Sequence, residues 1–569
     1  MPSTLPHRAL ATTALLAFIT GCATGPASVP ATPMTPPATT PTTTTPVAVK
    51  ILAINDFHGN LKPALGGIRV RDPADRSKTV NISAGGAEHM ATLVKELRAK
   101  NANSIFVAAG DLIGASPLLS ALFHDEPTIE SLSVMGLEAS AVGNHEFDKG
   151  AAELLRMQMG GCSAQDGCKG PAPFKGASYK YLAASTVVEA TGKTLFPAYH
   201  VKYFQGIPMA FIGLTLRETP TIVVPAGVRG LSFRDEAQTI NELVPQIKAQ
   251  GIEAIAVLIH EGGVPAGDYN ECPGISGAIV DIVKKLDKAV DMVISGHTHR
   301  AYNCRIDGRL VTSGDKYGTI VTQIDVLLDP VTRKVLSAQA ENVIVRTDSF
   351  AKDPVQTQLI AAYEKLVIPL AKRVVGRIGA ALPRDANAAG ESALGQVIAD
   401  AQLAATQDAG AHIALMNPGG IRAAMGLPAD GHVRYEDLFA VQPFYNNLVT
   451  TTLTGAQLLA LLEQQWRDQP SARLMQVSRG FSYTWDAARP LGERVLRESL
   501  HLNGQAITAQ SKVRVTVNAF MAGGGDNFTQ LKNGTDTRTG MMDVDALELY
   551  IKNNPGLAPG ALNRIARLN

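Results

Sequence analysis

The sequence predicts an α/β fold, and two features carry that prediction. Short apolar runs in the first 300 residues each end in Asp, Asn or His. From about residue 48 to 346, strand-like runs of this kind alternate with helical stretches. Short, β-branched apolar runs bounded by Gly or polar residues read as buried strands. Alternating strands and helices point to the α/β class. Buried strands gathered in one sheet would present their carboxyl ends along a common edge, where ligands collect in open α/β sheets.

The runs follow one another in order. Val49 to Asn55 leads into Asp56 and His58, and Ser104 to Gly110 leads into Asp111. Ala139 to Gly143 leads into Asn144 and His145. Ala254 to Ile259 leads into His260, and Asp291 to Gly296 leads into His297 and His299. Asp, Asn and His without cysteine form a mixed oxygen and imidazole set, which suits Zn, Mn, Fe or Co. The set is too large for one ion and suits two divalent ions that share a carboxylate.

Between these runs, Gly85-Gly86 reads as a turn before a helix that continues to Lys100. The segment 351–375 carries Val355, Ile360, Tyr363, Leu366 and Leu370 at helical spacing, with a break or kink expected near its end at Pro369. That is enough helix to bridge two domains. From residue 376 the texture changes. Val374 to Gly379 starts a new strand, Glu391 to Ala405 reads as a helix, and short strands follow.

A chain of 569 residues is long enough for at least two domains. Its net charge of +1 lacks the basic footprint of a nucleic-acid binder, so no nucleic-acid polymer is expected as a partner. No protein partner is implied either. The first residues read as targeting rather than fold. Arg8 precedes the apolar stretch Ala9 to Ile19, which is short for a bilayer span. It ends in Ile19-Thr20-Gly21-Cys22, which resembles the bacterial lipobox and implies cleavage before Cys22 and its lipidation. The Pro-, Thr- and Ala-rich residues 23–47 read as a solvated tether. Besides Cys22, the exported chain carries Cys162, Cys168, Cys272 and Cys304. An oxidising compartment favours disulfides, with three pairings open. Cys162 and Cys168 bracket a Gly-rich loop, and Cys272 and Cys304 flank the Gly-His-Thr-His segment.

The ordered set Asp56-Phe-His58, Gly110-Asp111, Gly143-Asn-His-Glu146 and Gly296-His-Thr-His299 resembles the calcineurin-like metallophosphoesterases. Asn417-Pro-Gly-Gly-Ile-Arg422, Gln442-Pro-Phe444 and Asn518 to Asp526 resemble the second domain of the bacterial and animal 5′-nucleotidases. The resemblance implies a four-layer α/β/β/α sandwich followed by a smaller α/β substrate-binding domain. It places the lipoprotein signal at 1–22, the tether at 23–47, the metallophosphoesterase domain at 48–346, a linker helix at 347–375 and the substrate domain at 376–569.

The same resemblance implies roles. Asp56, His58 and His299 hold one metal, Asn144, His260 and His297 the other, and Asp111 bridges them. His299 stands where many relatives have Gln. His145 matches a catalytic, non-ligand histidine, and Asp148 its carboxylate partner, which orients the ring and favours its cation. Arg422 grips phosphate through its planar fork. Arg384 matches a second phosphate arginine, whereas Ala388 and Ala393 stand where the family has Arg and Asn. Phe444 and Phe520 match the pair of rings that sandwiches a nucleobase. Asp526 matches a ribose contact and Asn417 a base contact.

The expected protein is a lipid-anchored, exported two-metal hydrolase that releases phosphate from nucleoside 5′-monophosphates. The expected location is the periplasm or cell surface, at the outer membrane if the source has one. Nucleotide-sugar pyrophosphatase and 2′,3′-cyclic-nucleotide phosphodiesterase are the alternatives on the same site. A nucleotide-binding surface lipoprotein is the alternative without catalysis.

Overall fold

A computed structural model describes residues 45–569 except 65, 165 and 470. The signal segment, Cys22 and almost all of the tether therefore lie outside the described residues. Val47 already opens the first strand, Val47–Ile54.

The first half of the chain forms two six-stranded sheets. In one, Val47–Ile54, Ser104–Ala108, Ala139–Ala141 and Lys180–Leu182 run parallel, with Ile320–Leu328 and Val335–Ile344 added antiparallel at one edge. In the other, Ile207–Thr215, Ala254–His260, Met292–Ser295 and Arg309–Gly314 are parallel, flanked by antiparallel Tyr199–Phe204 and Ala301–Ile306. The ligand-bearing runs are thus divided between the two sheets of the expected sandwich. Apolar periodicity marks a buried strand but not its neighbours, so strand pairing was beyond its reach.

Alternation along each strand explains the layering. Val49, Ile51, Ile105 and Val107 point between the sheets and pack with Phe211, Ala256, Leu258 and Ile294. Leu52, Ile54 and Phe106 point outward onto Met90, Val94 and Leu97 of the helix Ala87–Ala99. On the other side, Ile212, Ile255 and Val257 meet Ile240 and Val244 of Glu236–Lys248 and Ile279 of Ala278–Lys285. The central parallel strands, such as Ile207–Thr215, Ala254–His260 and Met292–Ser295, are buried on both faces, hence the continuous apolar runs. The result is the expected four-layer α/β/β/α sandwich.

The helix Pro354–Ala371 begins where its sequence says it should. Asp353 accepts from the backbone N–H groups of Val355 and Gln356, and Pro354 occupies the first helical position. Pro369 lies inside the helix, which ends two residues later at Ala371. Ile360 is buried in the first domain's core, whereas Tyr363, Val367 and Ala371 pack with Leu394, Ile398 and Leu438. One helix therefore contributes to both cores.

Beyond it, a five-stranded sheet has the order Gln476–Val477, Ile413–Met416, Lys512–Asn518, Asn447–Thr454 and Thr535–Met542. The helix Ala393–Ala405 is capped by Ser392, whose hydroxyl accepts from Gly395 N–H. The cysteines pair as Cys162–Cys168 and Cys272–Cys304. Among the described residues, no helix is long and apolar enough to cross a membrane.

Candidate active site

The loops that follow the parallel strands carry the predicted ligands, and backbone hydrogen bonds lock those loops together. Asp56 N–H donates to Gly110 O at 3.0 Å, and His58 N–H to Asp111 O at 3.0 Å. Asp56, His58, Asp111, His297 and His299 all have φ between 47° and 69°. Asp and His enter this left-handed region more readily than most residues, but the cost is still of order 1–3 kcal/mol each. Five such residues together mark a set of side chains turned to one place. Gly143 permits their approach, since a Cβ there would lie 2.2 Å from Asp111 Oδ1.

Among the described residues, three groups of ligand atoms each lie within 4.8 Å of one another: Asp56 with His58 and His299; His58 with Asp111 and His145; and Asp111 with His260 and His297. Asp111 and His58 each occur in two of these groups, and Asp111 Oδ2 stands 3.7 Å from His58 Nε2. His260 Nε2 stands 2.9 Å from Asp111 Oδ2, and His299 Nε2 stands 3.3 Å from Asp56 Oδ1.

The donors fit divalent cations. His58 Nδ1 lies 2.8 Å from Gly114 O, and His260 Nδ1 lies 2.8 Å from Ala109 O. A carbonyl only accepts, so each Nδ1 carries the proton and each Nε2 lone pair faces the cluster. Asn144 Oδ1 and His260 Nε2 are buried without an aligned hydrogen-bond partner among the described residues. Orphaned buried acceptors of this kind call for a cation.

Two residues given no role from the sequence hold this arrangement. Glu146, only 2% exposed, accepts the backbone N–H groups of Asp111, Leu112 and Gly143 at 3.0, 2.8 and 2.7 Å. Burial, with Asp111 close by, pushes its carboxyl up to about 8, against the N–H donors that favour the ionised form. Asn55 donates to Asp56 Oδ2 and to Asp315 O, each at 2.7 Å, and accepts from Gly314 N–H at 2.7 Å. Both signals sat beside recognised ligands, Glu146 within Gly-Asn-His-Glu and Asn55 just before Asp56.

His145 Nδ1 lies 2.8 Å from Asp148 Oδ2. Burial acts to lower its pKa, but the charges of Asp148 and Asp111 outweigh burial and raise it. The His145 ring stacks on Phe444 of the second domain, with centroids 5.9 Å apart and planes 14° apart. The Arg422 guanidinium lies 5.8 Å from the same Phe444 ring. A cavity of about 550 Å³ opens here between the two domains. Asn144, His145, Asp148 and His297 line it from one side, and Asn417, Arg422, Phe444, Phe520 and Asp526 from the other. Its size is that of a small-ligand pocket.

Two expected contacts are arranged differently. Arg384 is not on the cavity wall; its Nη1 donates to the carbonyls of Ile421 and Arg422, so it props the loop that carries Arg422. Sequence spacing aligned the position, but its Nη1 is turned to nearby carbonyls rather than to the cavity. Asn417 lines the cavity, yet its amide is engaged inside the protein. Its Nδ2 donates to Asp526 Oδ2 at 2.7 Å, and its Oδ1 accepts from Asn518 Nδ2 at 3.0 Å.

Comparison with known proteins places this geometry. Residues 49–301 match the calcineurin-like phosphoesterases, and residues 373–533 match the 5′-nucleotidase C-terminal domain. The chain is 30% identical over 539 residues to the cell wall protein Lmo0130 of Listeria monocytogenes, covering 89% of this chain and 67% of that protein. The chain belongs to the 5′-nucleotidase family. The solved 5′-nucleotidase precursor from Thermus thermophilus superposes with a TM-score of 0.75 at 26% identity, over 92% of this chain and 99% of that one. Endonuclease YhcR of Bacillus subtilis is 32% identical over 508 residues; the match covers 89% of this chain and 40% of that relative. This member of the family is accordingly a metal-dependent phosphoester hydrolase that uses two divalent cations, with the Asp and His groups above able to hold them.

Proposed function

We propose that the chain releases inorganic phosphate from nucleoside 5′-monophosphates outside the cytoplasm. The observation that carries this reading is the convergence of Arg422 and Phe444 from the second domain on His145 of the first. A phosphate grip, an aromatic face and a carboxylate-held histidine then border one cavity.

In this reading Asp56, His58 and His299 hold one cation, Asn144, His260 and His297 the other, and Asp111 bridges. The chemistry supplied by cations bound there is Lewis-acid polarisation of the phosphoryl group. Arg422 grips the phosphate through its fork. Phe444 and Phe520 sandwich the base, and Asp526 accepts from ribose hydroxyls. With His145 Nδ1 on Asp148, a proton on Nε2 stabilises charge at the phosphoryl group or passes to the 5′-oxygen as it leaves.

The division of the chain into a catalytic domain (48–346), a linker helix (347–375) and a substrate domain (376–569) belongs to the same proposal. So does export with a lipid on Cys22, which the Ile19 to Cys22 motif supports. Mass spectrometry of the mature N-terminus tests it; an unmodified start elsewhere refutes the anchor.

Likeness to an endonuclease supports a second reading, hydrolysis of phosphodiesters at the same site. A phosphate-release panel over AMP, UDP-glucose, 2′,3′-cyclic AMP and p-nitrophenyl phosphate, with single-stranded DNA as a further arm, separates them. The nucleotidase reading expects AMP to lead this panel by kcat/KM; preferential cleavage of a diester bond overturns it.

A further inference from the structure

The ribose end of the cavity contains a cation with no assigned role. Arg473 lines the cavity beside Asp526. Its Nη1 pairs with Asp526 Oδ1, while Asn417 occupies Oδ2. Among the described residues, Arg473 Nε and Nη2 have no hydrogen-bond acceptor, and the side chain is 25% exposed. Burial pushes its guanidinium down, which is the cost of keeping a charge there. Hydrogen bonds hold the neighbouring described residues in place. Gln469 Nε2 donates to Asp526 O at 2.6 Å, Asn527 Nδ2 donates to Asp468 O at 2.8 Å, and Arg473 N–H donates to Gln465 O at 2.8 Å. Asp526 itself is held at φ 54°.

A ribose diol is neutral and needs only the carboxylate. Asp526 alone would repel an anion at this edge. Arg473 cancels that charge, and its Nε and Nη2 donors remain for a ligand in the cavity it lines, which suits a phosphate ester. Resting on the nucleotidase reading of this site, we propose that the pocket takes nucleoside 5′-phosphates carrying a second phosphate ester on the 2′- or 3′-oxygen, and that Arg473 binds it. The second phosphate is a spectator. Water adds to the 5′-phosphorus, the 5′-oxygen leaves as a hydroxyl, and no bond to the second phosphate breaks.

The test is steady-state kinetics of the metal-loaded full chain on AMP, adenosine 3′,5′-bisphosphate, adenosine 2′,5′-bisphosphate and the dinucleotide pApA. These arms distinguish the two oxygens, and a monoester from a diester. At least one of the three doubly esterified substrates should be used better than AMP by kcat/KM, and from the 3′,5′-bisphosphate the product should be adenosine 3′-phosphate. Arg473→Ala and Arg473→Gln should each lower that preference over AMP about 10–100-fold, the value of a charged hydrogen-bonded contact. Adenosine 3′-phosphate or adenosine 2′-phosphate should inhibit more tightly than adenosine, and either variant should erase the difference.

AMP preferred over all three, or a preference that both variants preserve, overturns the proposal. Equal losses on every substrate also overturn it and make Arg473 a positioning residue for Asp526. If the enzyme hydrolyses AMP but rejects the doubly esterified nucleotides, this inference alone fails. If it hydrolyses none of the nucleotides but cleaves p-nitrophenyl phosphate, the nucleotidase reading fails with it.

Discussion

The two walls of the cavity are built on different principles. In the first domain, ligands follow directly from strands, and strained backbone aims them: Asp56, His58, Asp111, His297 and His299 all have positive φ. Behind them, Glu146 and Asn55 fasten the loops through backbone groups. In the second domain, Asn417, Asn518, Asp526 and Arg473 hold one another through side chains. The first wall is fixed by topology, as expected where chemistry needs positions held within about 0.5 Å. The second is a side-chain network, in which one substitution redistributes several contacts.

This contrast predicts unequal responses to mutation. Asp111→Ala should do the most damage, because its carboxylate stands between His58 and His260, one from each proposed ligand set. Bound metal measured by elemental analysis should be lost, and phosphate release should fall to background. Retained stoichiometric metal would break the bridging assignment. His145→Ala should keep its metal but lose about 10²–10⁴-fold in kcat, the range for a general acid–base group. Near-normal turnover would place the catalytic histidine elsewhere.

Glu146→Gln touches no substrate but leaves at least one of three backbone donors unmatched. Metal affinity should drop about 10–100-fold, as for other residues that orient ligands; titration of the apo protein measures it, and an unchanged affinity would remove Glu146 from the support of the site. The smallest effect is expected at Asp353→Ala. Loss of the cap on Pro354–Ala371 should cost about 0.5–2 kcal/mol in stability by denaturant titration, with substrate preference unaltered. A changed preference would make that helix part of substrate selection.

The same contrast explains how far the sequence could be read. The strand-then-ligand pattern exposed the metal edge because strand, turn and ligand are consecutive in the chain. Glu146 lay inside a recognised motif, but its three partners, Asp111, Leu112 and Gly143, meet only through the fold. Assignment of strands to two sheets was not legible, because buried strands of either sheet have the same apolar pattern. Arg384 shows the limit of alignment: the position matched, while local carbonyls took its hydrogen bonds. Arg473 left no signal at all, since its partner Asp526 is 53 residues away and the pair forms only when two loops meet.

In this reading the first wall performs the chemistry and the second chooses the substrate. Its most direct test is the Phe444→Ala/Phe520→Ala double variant, assayed with AMP and with p-nitrophenyl phosphate, which has no nucleobase. Stacking is worth about 1–3 kcal/mol per ring and acts chiefly on ground-state binding, so KM for AMP should rise more than kcat falls. The predicted result is at least a roughly tenfold fall in the kcat/KM ratio of AMP to p-nitrophenyl phosphate. Equal losses on both substrates, or unchanged AMP kinetics, would contradict it.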